Sequence, residues 1–149
     1  MLRGVHSLSM DSKGRMAIPS RFRDALIDAC KAELVLTIDT EELCLLLYPL
    51  REWEVIQQKI ESLPSYNKAV RRIQRLLIGH AADIEMDGAG RILVPGPLRE
   101  HARLDKRVVL LGQGNKFEVW DEEYWQQRRD DYLQDDDLDI PEALQELSL

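Results

Sequence analysis

The ten residues Met10–Pro19 (MDSKGRMAIP) return 76 positions later as Met86–Pro95 (MDGAGRILVP). Carried on to Arg23 and Arg99, the alignment keeps six of fourteen positions identical: Met, Asp, Gly, Arg, Pro and Arg. A chain of 149 residues with such an internal copy is read as two similar halves sharing a core, in preference to one ordinary domain. Each copy places a turn former, Asp, ahead of a glycine at which a positive φ costs little. An apolar run of β character follows and stops at a proline. The local expectation is a tight hairpin feeding a short strand, with an arginine at the exit of the turn. In the plainer reading, Arg15 and Arg91 only pair with Asp11 and Asp87 to brace the turn, as most such surface pairs do. Duplication argues against that, because a solvated brace has little reason to recur with the same flanks.

Charge is unevenly distributed along the chain. The overall net is −7, yet residues 121–149 hold eleven acids against two arginines, a net of −9. The first 120 residues keep 18 basic and 16 acidic side chains, a net of +2. Arg3, Lys13, Arg15, Arg21 and Arg23 crowd the first 23 residues against Asp11 alone. This asymmetry suits an anionic partner at one end and leaves open a solubilising or partner-binding acidic flank at the other. Hydrophobic residues at 44% suffice for a globular core. No apolar run approaches the roughly 20 residues of a membrane span, and the N-terminus has no apolar signal region, so a cytoplasmic protein without a membrane partner is expected. Cys30 and Cys44 are too few and too poorly spaced for a zinc site or disulfide framework.

Taken in order, residues 4–10 read as a strand entering the first turn, and Arg15–Ile18 as the return strand. Ser20 to Cys30 has helical spacing of Phe22, Ala25, Leu26, Ala29 and Cys30. Strands follow at Leu34–Ile38 and Leu43–Tyr48. Arg51–Leu63 is a helix with Trp53, Ile56, Ile60 and Leu63 on one face. After Pro64-Ser65, Tyr66–Ile78 is a second helix, burying Tyr66, Ala69, Val70, Ile73, Leu76 and Leu77. Its opposite face carries Lys68, Arg71, Arg72 and Arg75, a stripe that suits solvent, inter-subunit ion pairs or phosphate. The plan then repeats: strand Ala82–Met86, turn, strand Ile92–Val94, a weaker helix after Pro95, strand Val108–Leu111, a turn at Gly112–Asn115, strand Lys116–Trp120 and helix Glu122–Leu133. Tyr48 and Trp53 are answered by Trp120 and Trp125 at the same separation. The run Asp135–Asp139 is expected to be exposed, and Pro141–Leu147 to form a helical turn or two. The fold class is α+β, divided as a first repeat over 4–50, linking helices over 51–79, a second repeat over 80–123, and a C-terminal helix with an acidic tail over 124–149.

Catalytic signatures are missing. In Gly88-Ala89-Gly90 the third glycine of a dinucleotide loop would fall on Leu93, and a strand follows where a helix is needed. His6, His80 and His101 form no paired metal spacing, the acidic run lacks the glycine and terminal glutamate of a calcium loop, and no serine sits in a nucleophile elbow. No enzyme, cofactor or metal is expected.

Two Asp-x-x-x-Arg turns, each in a strand–turn–strand–helix unit, with two linking helices and an aromatic-rich strand ahead of each following helix, resemble the MraZ family of bacterial proteins over Leu2 to about Leu133. The resemblance implies two AbrB-like halves of the swapped-hairpin, double-split β-barrel type, related by a pseudo-two-fold. It implies a transcriptional regulator, in the family's pattern a repressor, of the cell-division and cell-wall gene cluster, nucleoid-associated and assembled as a closed homo-oligomeric ring. Its partner would be double-stranded DNA, bound at short direct repeats in its own promoter. Position by position, Arg15 and Arg91 become the DNA-contacting side chains, Lys13 adds charge that Ala89 does not, and Arg3 and Arg21 become supporting phosphate contacts. Asp11 and Asp87 would orient the arginines, and Gly14 and Gly90 would shape the turns. The main alternative is an antitoxin-like interaction module whose acidic tail wraps a basic partner.

Overall fold

The computed structural model describes residues 1–135 and 140–147. Its elements run β1 (Leu2–Ser9), β2 (Arg15–Ala17), α1 (Ser20–Cys30), β3 (Glu33–Ile38), β4 (Leu45–Pro49), α2 (Leu50–Glu61), α3 (Lys68–Ile73), a π-helical turn (Gln74–Ile78), β5 (Ala82–Glu85), β6 (Arg91–Leu93), α4 (Gly96–His101), β7 (Arg107–Gly114), β8 (Phe117–Asp121), α5 (Glu122–Gln134) and α6 (Glu142–Gln145). The mixed α+β class expected from the sequence is the one observed. Six strands form one antiparallel sheet in the order β1-β7-β8-β4-β3-β5, and β2 pairs with β6 in a separate ribbon.

The central strands are mostly apolar because both sheet faces are covered. Leu34, Leu36, Ile38, Leu45, Leu47, Val108, Leu110, Phe117 and Val119 point into the main core, where they meet Phe22 and Leu26 of α1, Leu98 of α4, and Met16 and Ile92 of the ribbon. The alternate residues point the other way, as the two-residue period of a strand requires. Val35, Leu46 and Tyr48 pack under Trp53 of α2, while Cys44, Val109 and Trp120 pack beneath Tyr124 and Trp125 of α5. The two aromatic pairs legible in the sequence are real contacts: the Tyr48 and Trp53 rings lie 5.6 Å apart, and those of Trp120 and Trp125 5.2 Å apart.

The expected hairpins are corrected. The strands on either side of each Asp-x-x-Gly-Arg turn do not ladder with one another. β1 pairs with β7 through Leu2↔Gly114 to Ser9↔Arg107, β5 pairs with β3, and the two return strands β2 and β6 pair together. Every strand of the first half therefore has a partner in the second, and each turn hands the chain from the large sheet to the ribbon. Local turn chemistry specifies the reversal but not the partner, which for β2 lies about 76 residues away.

One helix and one turn also differ from expectation. Asn67 accepts the Ala69 and Val70 N–H groups at 2.8 and 3.4 Å, so the second linking helix starts at Lys68, and Tyr66, expected to be buried, is 89% exposed ahead of it. Ala69 is also exposed. The helix then widens into the π-helical turn, where the buried Thr37 hydroxyl donates to the Leu77 carbonyl at 2.6 Å. The turn expected at Gly112–Asn115 comes later, since β7 runs on through Gly114. Gly112 permits this by close approach: a Cβ there would stand 2.5 Å from the Arg3 backbone nitrogen on β1. Within the expected acidic run, residues 136–139 lie outside the described residues.

Candidate nucleic-acid interface

Each turn is built by its aspartate. One Asp11 carboxylate oxygen accepts the Lys13 and Arg15 N–H groups, both at 2.9 Å, and one Asp87 oxygen accepts those of Ala89 and Arg91 at the same distance. The backbone closes alike in both, with Gly14 N donating to Asp11 O at 3.0 Å and Gly90 N to Asp87 O at 2.9 Å. Both carboxyls are held below their ordinary range, first by the N–H of the arginine that ends the motif and then by the second N–H of the turn, against the cost of desolvation. The aspartates therefore engage the arginines through their backbone N–H groups.

Glycine is needed at the fourth position for two reasons. Gly14 and Gly90 have φ of 89° and 77°, where a side chain is strained. In addition, each glycine sits beneath an arginine of the opposite half: a Cβ on Gly14 would stand 2.6 Å from Arg99 Nε, and one on Gly90 would run into Arg23. Arg23 and Arg99 are the last matched pair of the repeat, and sequence reasoning gave them no role. Their identity across the copies was the available signal. What it could not show was that each clamps the other copy's turn. The symmetry is incomplete, because Arg23 Nε donates to Ile18 O at 2.8 Å while buried Arg99 Nε has no hydrogen-bond partner among the described residues.

The ribbon joins the two turns. Arg15 lies opposite Leu93 and Ala17 opposite Arg91, and the ribbon is extended by Ile18 N to Gly90 O at 2.8 Å and Val94 N to Gly14 O at 2.9 Å. Met16 and Ile92 are 1% exposed and face the core. Alternation then puts Arg15 and Arg91 together on the outer face, at diagonal positions whose backbones are separated by roughly 8 Å. The two arginines are not equivalent. Arg91 Nε stands 3.6 Å from Asp87, both side chains being 49% exposed, whereas Arg15 closes no ion pair within 4 Å among the described residues. Bracing by aspartate thus holds for Arg91 and not for Arg15.

Of the remaining candidates, Lys13 is exposed at the tip of the first turn, beside Arg15. Arg21 lies over the Phe22 ring at 4.7 Å. Arg3 faces Gln113 near the far end of β1, seven residues before Met10, or roughly 23 Å along an extended strand. The fold does not bring Arg3 to the turns. Lys68, Arg71, Arg72 and Arg75 are all exposed, on the helix and π-helical turn that link the halves.

A second polar centre fixes α5. Glu42, in the β3–β4 connection, accepts Arg128 Nε and Nη2, the Tyr132 hydroxyl at 2.8 Å and the Tyr124 hydroxyl at 3.3 Å. The Arg128 guanidinium is the main reason that the Glu42 carboxyl is held low, and burial followed by the Glu42 contact pushes Tyr132 up to about 12. Next to it, Asp39, Cys44 and Glu118 bring their ligand atoms within 4.8 Å of one another, an approach that the spacing of the cysteines did not suggest. Asp39 already accepts the Glu42 N–H, Glu118 accepts Trp120 Nε1, and burial pushes the Cys44 thiol well up, which keeps it protonated. This trio is built as a packed polar cluster under α5.

No helix among the described residues is long and apolar enough to cross a membrane. The family described as "MraZ protein, putative antitoxin-like" matches the chain twice, over residues 1–76 and 77–145. The chain is 54% identical to the transcriptional regulator MraZ of Halorhodospira halophila, the alignment covering all of both chains. It is 53% identical to the protein of the same name from Marinomonas sp., again over both full lengths. Against that of Thioalkalivibrio sulfidiphilus it is 56% identical over 92% of this chain and 91% of the relative. With two matches that divide the chain where the turns repeat, and relatives above half identity from end to end, this protein belongs to the MraZ family.

Proposed function

We propose that this protein is a DNA-binding transcriptional regulator, with no catalytic activity, that reads direct repeats in its own promoter as a closed ring and represses the cell-division and cell-wall cluster to which the gene belongs. The reading assigns it to the cytoplasm, on the nucleoid. It also treats residues 4–50 and 80–123 as AbrB-like, swapped-hairpin units joined by 51–79 and followed by 124–149. The observation that supports it best is the common outer face of the β2–β6 ribbon, from which Arg15 and Arg91 project together. A two-stranded ribbon fits the major groove, and a guanidinium there makes a bidentate contact to guanine or grips a phosphate. Lys13 at the tip of the first turn adds a third cation. The names borne by the relatives agree with regulation of transcription.

One ribbon makes few contacts, so affinity for an operator of repeats comes from several ribbons on one particle. The acidic tail can then sit away from the duplex. Hydroxyl-radical footprinting of the promoter tests this reading: protection in phase with the repeats is expected for wild type and lost in Arg15→Ala. Protection unaffected by that substitution, or none in wild type, would contradict it. The antitoxin-like alternative rests on the charge of residues 121–149. It predicts that removing 135–149 abolishes capture of a basic protein, whereas the DNA reading predicts that the truncated chain keeps its footprint.

A further inference from the structure

The pseudo-two-fold relating the halves is broken beside the turns, and broken in charge. At the first turn, Met10 N donates to Lys106 O at 2.8 Å, and Ser9 pairs with Arg107. At the second, the corresponding bond runs from Met86 N to Ala32 O at 3.0 Å, and Glu85 pairs with Glu33. Equivalent positions thus carry Lys106 and Arg107 in one case, and Ala32 and Glu33 in the other. Behind the first turn lies an open cleft of about 560 Å³, bordered by Arg99, Lys106 and Arg107, by Ser12, and by Asp11 and Asp105. A cleft beside the β3–β5 pair is bordered by Glu33, Asp83 and Glu85.

We propose that the cleft behind the first turn is a phosphate subsite of the DNA interface, in which Lys106 and Arg107 grip a backbone phosphate beside Arg99. The inference rests on the DNA-binding reading and assigns residues that it left out. Arg99 contributes a guanidinium whose buried Nε finds no acceptor among the described residues, unlike its counterpart Arg23. That Nε is packed over Gly14 and closed to solvent, so it is the remainder of the guanidinium that adds positive charge beside Lys106 and Arg107. One oxygen of Asp11 is already committed to the turn N–H groups. Lys106 and Arg107 also border a cleft with Asp121, Glu122 and Glu123 at the start of α5, yet neither closes an ion pair within 4 Å among the described residues. Both remain available. A duplex engaging Lys13 and Arg15 would meet this basic rim beside the first turn, whereas Glu33 and Glu85 flanking the second would disfavour it. The subsite takes over the supporting role that the family resemblance gave to Arg3, at the other end of β1.

The test is operator binding by full-length protein carrying Lys106→Ala with Arg107→Ala, compared by fluorescence anisotropy with wild type, with Arg15→Ala, and with Arg71→Ala plus Arg72→Ala. The last variant removes the same charge from exposed positions that do not line the cleft. Light scattering checks that all assemble alike. The expected result for the Lys106/Arg107 variant is a loss of about tenfold or more at low salt, similar on operator and unrelated duplex, with a salt slope shallower by about one for each phosphate no longer neutralised. The Arg71/Arg72 variant should lose far less. Wild-type affinity and slope in the Lys106/Arg107 variant, with binding lost in Arg15→Ala, would overturn the subsite alone. Equal losses in the two double variants would also overturn it, as an effect of bulk charge. Failure of wild type to bind DNA would overturn the reading beneath it, and the subsite with it.

Discussion

Gly14 and Gly90 carry a double constraint, a positive φ and an arginine from the opposite half where a Cβ would stand. Gly14→Ala should therefore destabilise the protein by about 1–3 kcal/mol, read as a fall in the urea midpoint, while alanine at Gly88, which has open space around its Cβ position, should be far milder. The aspartates are a separate matter of charge. Their folded-state pKa lies below the ordinary 3.8, so they contribute stability that is fully present above that value and lost as pH falls through the folded pKa. Asp11→Asn combined with Asp87→Asn should flatten the fall in Tm below about pH 4 and change its slope little near neutrality. Between the two arginines, Arg15→Ala should weaken operator binding more than Arg91→Ala, with a loss of about 1–3 kcal/mol per contact, because Arg91 is partly neutralised by Asp87 and has no neighbour like Lys13. A larger loss from Arg91→Ala in the same titration would reverse that ranking.

At the scale of elements, the sequence was informative wherever the cause of structure is local. The turns, the buried strands, the proline-led helices and the two aromatic pairs all follow from spacing over a few residues. Four features did not. The partner of β1 is β7 and not β2, since a turn motif carries no information about a strand in the other half of the chain. Tyr66 fits the apolar stripe of its helix but precedes the Asn67 cap, so it is left outside. The clamp of Arg23 and Arg99 on the opposite glycines needs the pairing of β2 with β6, which no window of sequence contains. The docking of α5 was equally hidden, because its tie to the body is Glu42, 86 residues from Arg128. Glu42→Ala leaves that guanidinium and two tyrosine hydroxyls without their acceptor. It should cost about 1–3 kcal/mol and raise the fluorescence change at Trp125 on mild denaturation, whereas an unchanged urea midpoint would show that α5 is held by its aromatic contacts alone.

For the whole molecule, the interleaving of the halves means that neither is a folding unit. β1 and β3 would each lose a partner strand if the chain ended at residue 79, and β2 would lose its only partner among the described residues. A fragment of residues 1–79 should therefore give a collapsed or aggregated product without dispersed amide resonances, and recover them only when mixed with 80–149. The same interleaving gives the molecule its functional geometry, because pairing β2 with β6 sets two copies of one turn side by side on a ribbon. The charge pattern then makes the copies unequal, with Lys13, Arg15, Lys106 and Arg107 around the first turn, and Glu33 and Glu85 near the second.

The most direct test of the central claim is anisotropy of a labelled duplex carrying the direct repeats upstream of the gene, titrated with wild type and Arg15→Ala at two salt concentrations. The account predicts tight wild-type binding that falls steeply with salt and collapses in the variant. Binding indifferent to Arg15, or no binding at all, would contradict it and turn attention to the acidic C-terminal segment and a protein partner.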